Sequence, residues 1–318
     1  MSTASAPYRG RLAPSPTGAQ HVGNARTYLI AWLRARSQGG RLVLRIEDID
    51  SPRVKPDAER QAQDDLRWLG LDWDEGPVVQ TERVALYEAA LRRLQEDERV
   101  YPCTCTRGDV ERAASAPHDE QAGASIYPGT CAGRRVVDAA GLAGPYCWRF
   151  RLPRDDFEFE DEFCGAVSVD LRAAGGDFVV WKSAGTPAYQ LAVVIDDAAQ
   201  AMTEVVRGDD LVPSTPRQLL LYDALGLTAP RFVHVPLVVG PDGRRLAKRH
   251  GDTRLSSLRQ AGVGPEALLG LLAWSCGWVE KGKEVSAREL LPLFRLESVP
   301  PGPFVLTPDL LREIGYRG

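Results

Sequence analysis

Two segments far apart in the chain carry the residue types that phosphate chemistry needs. Near the start, Arg11-Leu-Ala-Pro-Ser-Pro-Thr-Gly18 is followed by His21-Val-Gly-Asn24; near the end, Arg245-Leu-Ala-Lys-Arg249 crowds cations into one loop. In the first, Pro14 and Pro16 stiffen a turn after an apolar strand, and Gly18 and Gly23 permit close backbone approach. Asn24 then opens a helix whose positive N-terminus favours phosphate. His21 can donate to a phosphate oxygen there, and Lys248 can close over a leaving pyrophosphate. Together these are the parts of an ATP site that activates a carboxylate, where catalysis is mostly positioning and neutralisation of developing charge. Each part alone has a plainer reading: a Gly-rich turn serves any tight connection, a His near a helix start caps it, and a Lys on a hairpin loop is solvated.

A second candidate centre lies in the middle of the chain. Of the six cysteines, Cys103, Cys105 and Cys131 lie close together, whereas Cys147, Cys164 and Cys276 sit in apolar stretches and read as packing residues. The start, Met1 to Pro7, lacks the basic and apolar character of a secretion signal, so a cytoplasmic location and reduced thiols are expected. Three thiolates suit a tetrahedral zinc at a closed structural site, and the spacing favours His118 as the fourth ligand.

The elements that must position these residues follow an alternating pattern. With 318 residues, 44% hydrophobic and 26% charged, the chain is long enough for one large or two moderate domains. A net charge of −4 excludes a uniformly basic coat but leaves room for a local basic groove. The apolar run from Ala267 to Trp274 is too short and too Gly-interrupted to span a bilayer. Strands are expected at Tyr8 to Pro14 and Arg41 to Ile46. Helices are expected at Gly23 to Ser37, Pro56 to Leu69, and Val84 to Glu98, the last burying Leu86, Ala90, Leu91 and Leu94. That order gives an α/β fold with a parallel sheet and ligand at the strand C-termini.

From Val100 to Asp177 the pattern changes to an insertion with short strands such as Trp148 to Leu152, and the acidic stretch Asp155 to Glu162 reads as a strand with one solvated face. The first sheet is expected to resume at Phe178 to Trp181 and at Tyr189 to Ile195. A helix from Pro216 to Leu225 and a strand from Phe232 to Val239 follow. Pro241-Asp-Gly243 then turns the chain into the cationic loop, and helices at Pro265 to Cys276 and Ser286 to Phe294 close a small bundle. Domain boundaries are expected at 1–99 and 178–255 for the two catalytic halves, 100–177 for the insertion, and 256–318 for a short helical C-terminal domain.

The first segment resembles the "HIGH" signature of class I aminoacyl-tRNA synthetases, and Arg245 to Arg249 resembles their "KMSKS" signature. The stretch from Arg11 to Gly18, Ile46-Glu-Asp-Ile-Asp50, Tyr189, Arg207-Gly-Asp-Asp210 and Thr215-Pro-Arg-Gln218 resemble the glutamate-specific branch, in the family's order over nearly the whole chain. The resemblance implies a Rossmann-like catalytic domain that binds ATP with Mg²⁺, and catalytic roles for His21 and Lys248. It implies a glutamate site at Arg11, Leu12, Ala13, Pro14, Ser15, Glu47, Tyr189 and Arg207, and ATP contacts from His21, Gly23, Asn24, Asp209 and Lys248. Either Arg11 or Arg207 would pair the substrate side-chain carboxylate, with Glu47 on the ammonium. At the cysteine centre the family pattern favours Tyr127 over His118 as the fourth zinc ligand.

Glutamyl-tRNA synthetases continue into a large anticodon-reading region, whereas this sequence ends at Gly318. Together with Cys103, Cys105, Tyr127 and Cys131, this resembles a truncated paralogue that forms glutamyl-adenylate without tRNA. That paralogue passes glutamate to queuosine at the wobble position of tRNA(Asp), and a monomer is expected. The rivals are a compact synthetase charging tRNA(Glu) and a binding module without turnover. The loop departs from the family pattern at Arg245, which keeps the charge, and at Ala247, which loses a hydroxyl.

Overall fold

The computed structural model describes residues 7–16, 19–49, 57–114, 126–246 and 252–317. The chain begins with β1 (Arg9–Leu12), α1 (Val22–Ser37), β2 (Arg41–Ile46), α2 (Ala58–Trp68), β3 (Glu75–Val79) and α3 (Val84–Glu96). The three strands form a parallel sheet in the order β1-β2-β3, in register from Arg9 opposite Arg41 to Leu12 opposite Leu44. α1 is buried on most of its surface, including Leu29, Ile30, Trp32 and Leu33, because the sheet covers one side and C-terminal elements cover the other. α3 buries Tyr87, Ala90, Leu91 and Leu94, the i, i+3, i+4, i+7 stripe of an amphipathic helix. Leu86, expected on that face, is 43% exposed, and Tyr87 takes its place.

The middle of the chain holds β4 (Val100–Cys103), α4 (Arg107–Ala114), β5 (Cys147–Phe150), β6 (Asp156–Asp161), β7 (Gly165–Asp170) and β8 (Phe178–Trp181). β4, β5 and β8 form an antiparallel sheet, and β6 and β7 a hairpin. The expectation that the first sheet resumes at Phe178 is therefore corrected. Phe178 pairs with Phe150, so β8 completes the insertion's own sheet. The acidic strand β6 exposes Asp156, Glu158 and Glu160 as expected, but turns Asp161 inward, where it is 3% exposed.

The parallel α/β layer resumes with α5 (Tyr189–Ala199), β9 (Glu204–Gly208), α6 (Thr215–Ala224), β10 (Arg231–Val235) and β11 (Val238–Val239). The strand expected at Tyr189 to Ile195 is instead the first part of α5. Leu191, Ala192, Val193 and Val194 are all buried, and a helix enclosed on consecutive positions loses the 3.6-residue periodicity that would identify it. β9 and β10 pair in parallel, and the Thr203 N–H donates to Arg9 O beside β1. β1 thus lies between chain running on to β2 and chain returning at β9, a topological switch point where ligands bind at the strand C-termini. The expected Phe232 to Val239 strand breaks at Pro236, which has no N–H for a ladder and whose carbonyl accepts from Arg26.

α7 (Leu255–Gln260), α8 (Pro265–Ser275), β12 (Phe304–Val305) and α9 (Pro308–Glu313) complete the molecule. β12 pairs with β11, which fastens the last described elements to the parallel α/β layer. The helix expected at Ser286 to Phe294 is a run of turns. Ser286 and Glu289 begin it with a capping contact, but Pro292 lacks the N–H that would extend it. No helix among the described residues is long and apolar enough to cross a membrane.

Candidate active site

A cavity of about 330 Å³ opens where β1, β2 and β9 end. Arg11, Ala13, Ser15, His21, Gly23, Asn24, Glu47, Tyr189 and Arg207 line it. The other sequence-nominated residues lie elsewhere. Leu12 is fully buried in the core below, Pro14 uses its carbonyl to accept the Glu47 N–H, and Asp209 is outside the lining while its neighbour Asp210 is within it. Lys248, Gly18 and His118 lie outside the described residues.

His21 takes the capping role that the sequence offered as the plainer reading. It is the N-cap of α1, and its Nδ1 accepts the Gly23 N–H at 3.1 Å while Asn24 Oδ1 accepts the His21 N–H at 3.1 Å, a capping box. The Asn24 N–H also turns to the His21 ring, the Val22 N–H to Thr253 O, and the Ala25 N–H to His21 O. The first-turn N–H groups are thus satisfied within the protein. What remains for an anion is the helix dipole and, because Nδ1 is an acceptor, an Nε2–H donor. Burial, then the Arg245 cation, lowers the imidazole pKa to about 4, so the ring is neutral near pH 7. A Cβ on Gly23 would lie 3.0 Å from the His21 ring, which accounts for glycine at this position.

The Val22 N–H and the Leu255 N–H bond across to Thr253 O and Gln20 O, so chain leaving the cationic loop is stitched to the His21 segment. Upstream of the loop, the turn at Pro241 to Gly243 forms as expected, with Gly243 in the left-handed region and its N–H donating to Gly240 O. Arg245 reaches Asp210 Oδ2 at 2.8 Å and lines the cavity with it. The sequence did not single out Asp210, although it stands beside Asp209 in the same motif.

The cavity's electrostatics are set by buried guanidiniums. Arg45, fully buried beneath it, holds Glu47 Oε1 at 2.9 Å and Asp197 Oδ1 at 2.6 Å. Arg11 gives one N–H to Val206 O, keeps its buried Nε without a hydrogen-bond partner, and lies 3.9 Å from Asp197. Arg207 donates to His234, Gln218 and Thr215, none of them anionic groups. Burial lowers its pKa from the ordinary arginine value. Burial raises the pKa of Glu47, opposed by Arg45 and Arg11, and pushes the Tyr189 phenol up to about 12, which keeps it a donor. Apart from the Arg245–Asp210 pair, which neutralises itself, Arg11, Arg207 and Glu47 therefore face a space sized for a small zwitterion bearing an extra acid.

The cysteine centre sits at the edge of the insertion's sheet. The ligand atoms of Cys103, Cys105 and Cys131 lie within 4.8 Å of one another, with Cys105 and Cys131 sulfurs 3.7 Å apart, and could hold a metal ion. Tyr127 Oη is 3.4 Å from Cys103 Sγ and accepts the Cys131 N–H at 2.9 Å. Cys147 pairs across from Cys103 on β5 and packs in the same cluster, while Cys276 is buried as expected. Cys164, read as a packing residue, is exposed, because it lies in the turn between β6 and β7. Beside the centre is a larger cavity, about 970 Å³, where Arg107, Arg149, Lys182 and Arg217 face Glu111 and Asp177.

Comparison with known proteins matches residues 8–295 to the family described as tRNA synthetases class I (E and Q), catalytic domain. A glutamyl-Q tRNA(Asp) synthetase of Rhodopirellula baltica is 55% identical over 277 residues, covering 84% of this chain and 84% of that protein. One of the same name from Symbiobacterium thermophilum is 50% identical over 307 residues, covering 92% and 94%. A solved glutamate tRNA ligase of Elizabethkingia meningosepticum, in complex with its amino acid, superposes with a TM-score of 0.81 at 29% identity, covering 96% of this chain and 68% of that one.

Proposed function

This chain belongs to the class I tRNA synthetases of the E and Q group, and we propose that it activates L-glutamate with ATP in the absence of tRNA and transfers the glutamyl group to queuosine at the wobble position of tRNA(Asp). The observation that carries the substrate assignment is the pair of buried guanidiniums, Arg11 and Arg207, set opposite Glu47 in one small cavity. Glutamate has two carboxylates for the former and an ammonium for the latter. The acceptor assignment draws on the names of the relatives at 55% and 50% identity.

In the first step a carboxylate oxygen of glutamate attacks the α-phosphorus of ATP, and the bond to the bridging oxygen breaks as pyrophosphate leaves. His21 donates Nε2–H to a phosphate oxygen from the start of α1, and Lys248 neutralises the departing pyrophosphate. Gly23 and Asn24 keep the His21 ring in place, and Ala13, Ser15 and Tyr189 border the amino acid. Mg²⁺ accompanies the nucleotide and offsets its charge when bound. In the second step a queuosine hydroxyl attacks the activated carbonyl, an ester forms and AMP leaves. The larger cavity's cations offer phosphate partners for the polynucleotide.

The cysteine centre is proposed to hold zinc. Tetrahedral zinc with thiolates near 2.3 Å spaces its sulfurs by about 3.8 Å, and a phenolate oxygen would stand about 3.5 Å from a sulfur. The Cys105–Cys131 and Cys103–Tyr127 separations of 3.7 and 3.4 Å suit that geometry. The catalytic halves, the insertion and the C-terminal domain are proposed to divide at 99, after β8 rather than at 177, and at 255.

Glutamate-dependent exchange of labelled pyrophosphate into ATP, without tRNA, tests the first step. Exchange specific to glutamate is expected, and its absence from folded, ATP-binding protein would leave only a binding module.

A further inference from the structure

Arg207 is held by three of its five N–H groups. Nε donates to Nε2 of His234 at 2.9 Å, Nη1 to Gln218 Oε1 at 2.8 Å, and Nη2 to Thr215 Oγ1 at 2.9 Å. One N–H then remains on each terminal nitrogen, the fork that takes a carboxylate in two-pronged fashion. The Nε contact sets the direction of that fork, and it works only if His234 Nε2 is an acceptor. The ring proton must therefore sit on Nδ1, which lies 2.6 Å from Asp161 Oδ2.

Asp161 is itself fixed. Its Oδ1 accepts the N–H groups of Phe163, Cys164 and His234 at 3.0, 2.9 and 3.2 Å, so only Oδ2 is available to the ring. Arg207, His234 and Asp161 are 4%, 0% and 3% exposed, so bulk solvent does not reach them as a substitute partner. Asp161 does not line the cavity. It ends β6, and the hairpin reaches the catalytic layer through the Glu162 N–H, which donates to Phe232 O. Burial lowers the His234 pKa, against the opposing pull of Asp161.

We propose that Asp161 is a positioning residue for glutamate recognition: it fixes the Nδ1–H tautomer of His234, and His234 thereby holds Arg207 with its two remaining N–H groups directed at a substrate carboxylate. The proposal rests on reading the cavity as a glutamate site. With the other tautomer, Nε2–H would turn to Thr215 Oγ1, 3.1 Å away, and would meet Nε–H of Arg207 donor against donor, so the guanidinium would lose this contact. Asp161→Asn should cause this with almost no change in shape. The three backbone N–H groups require oxygen at the Oδ1 position, so the amide nitrogen takes the Oδ2 position, donates to Nδ1 and drives the ring proton to Nε2.

The test combines glutamate-dependent pyrophosphate exchange with imidazole ¹⁵N spectra of the full chain, which has four histidines. In the wild type the His234 resonances should report protonated Nδ1 and acceptor Nε2. Asp161→Asn should exchange them and raise KM for glutamate on the order of tenfold to a hundredfold, with KM for ATP unchanged. His234→Gln, which keeps an oxygen acceptor facing Arg207, should hold KM for glutamate near wild type, whereas His234→Asn, too short to reach it, should raise it. That split survives even if Asp161→Asn fails to fold, and a merely structural role would not produce it. A wild-type ring protonated on Nε2, or equal KM values for the Gln and Asn variants, would overturn the proposal. Wild-type protein without glutamate-dependent exchange would instead remove the glutamate reading, and this inference with it.

Discussion

Arg45 and Glu47, two positions apart at the end of β2, bond to each other at 2.9 Å although the arginine has no contact with water. The same guanidinium holds Asp197, so one cation fixes both the cavity's carboxylate and the acid nearest Arg11. Removing it strands buried negative charge. Arg45→Met is expected to destabilise the protein by about 3–5 kcal/mol, the scale for breaking a buried ion pair from one side. Urea denaturation measures this, and a loss below about 1 kcal/mol would mean the carboxylates relax to solvent or neutralise without cost.

The cysteine centre proposed to hold zinc and the cavity proposed for activation are lined by different residues, so their losses should separate. Cys105→Ser is expected to lose the metal, read by metal analysis, while retaining glutamate-dependent exchange. Tyr127→Phe is expected to weaken metal retention against a chelator roughly tenfold to a hundredfold while the fold persists. Full metal retention by Tyr127→Phe would remove the phenol from the ligand set.

His21 gives a pH signature with a defined sign. Its folded pKa of about 4 lies below the ordinary 6.5, so between these values acid protonates this residue only in the unfolded chain. Its contribution to stability is therefore complete above that window and is lost as pH falls through it. His21→Asn keeps a capping oxygen for the α1 N–H groups and should flatten the slope of unfolding free energy against pH there. Equal slopes in the two proteins would show that the ring is not withheld from protonation.

Lys248→Ala is expected to slow adenylate formation by roughly two or more orders of magnitude, the scale for losing one charge partner of the transition state. Single-turnover measurement with saturating ATP and glutamate reads it directly, and a rate near wild type would take the loop out of the chemistry.

The cavity's lining was largely legible in the sequence because its residues cluster at strand ends in short motifs, as at Arg11 to Ser15 and Glu47. What holds them was not. Asp161 is one acid in a run of acids, and only the hairpin's docking on β10 turns it inward. His234 stands between Val233 and Val235 in a largely apolar strand, indistinguishable by pattern from a packing histidine. α5 read as a strand because enclosure on successive positions erased its periodicity, and β8 read as part of the first sheet because buried strands look alike whichever partner they take. Long-range pairing decided each of these, and local pattern carries no record of it.

The central claim is the identity of the acceptor. Labelled glutamate and ATP, supplied with purified tRNA(Glu) and with tRNA(Asp) either containing or lacking queuosine, test it in one experiment. Label is expected on queuosine-containing tRNA(Asp) alone. Label on tRNA(Glu), with queuosine-containing tRNA(Asp) left bare, would contradict the account and identify a compact glutamyl-tRNA synthetase.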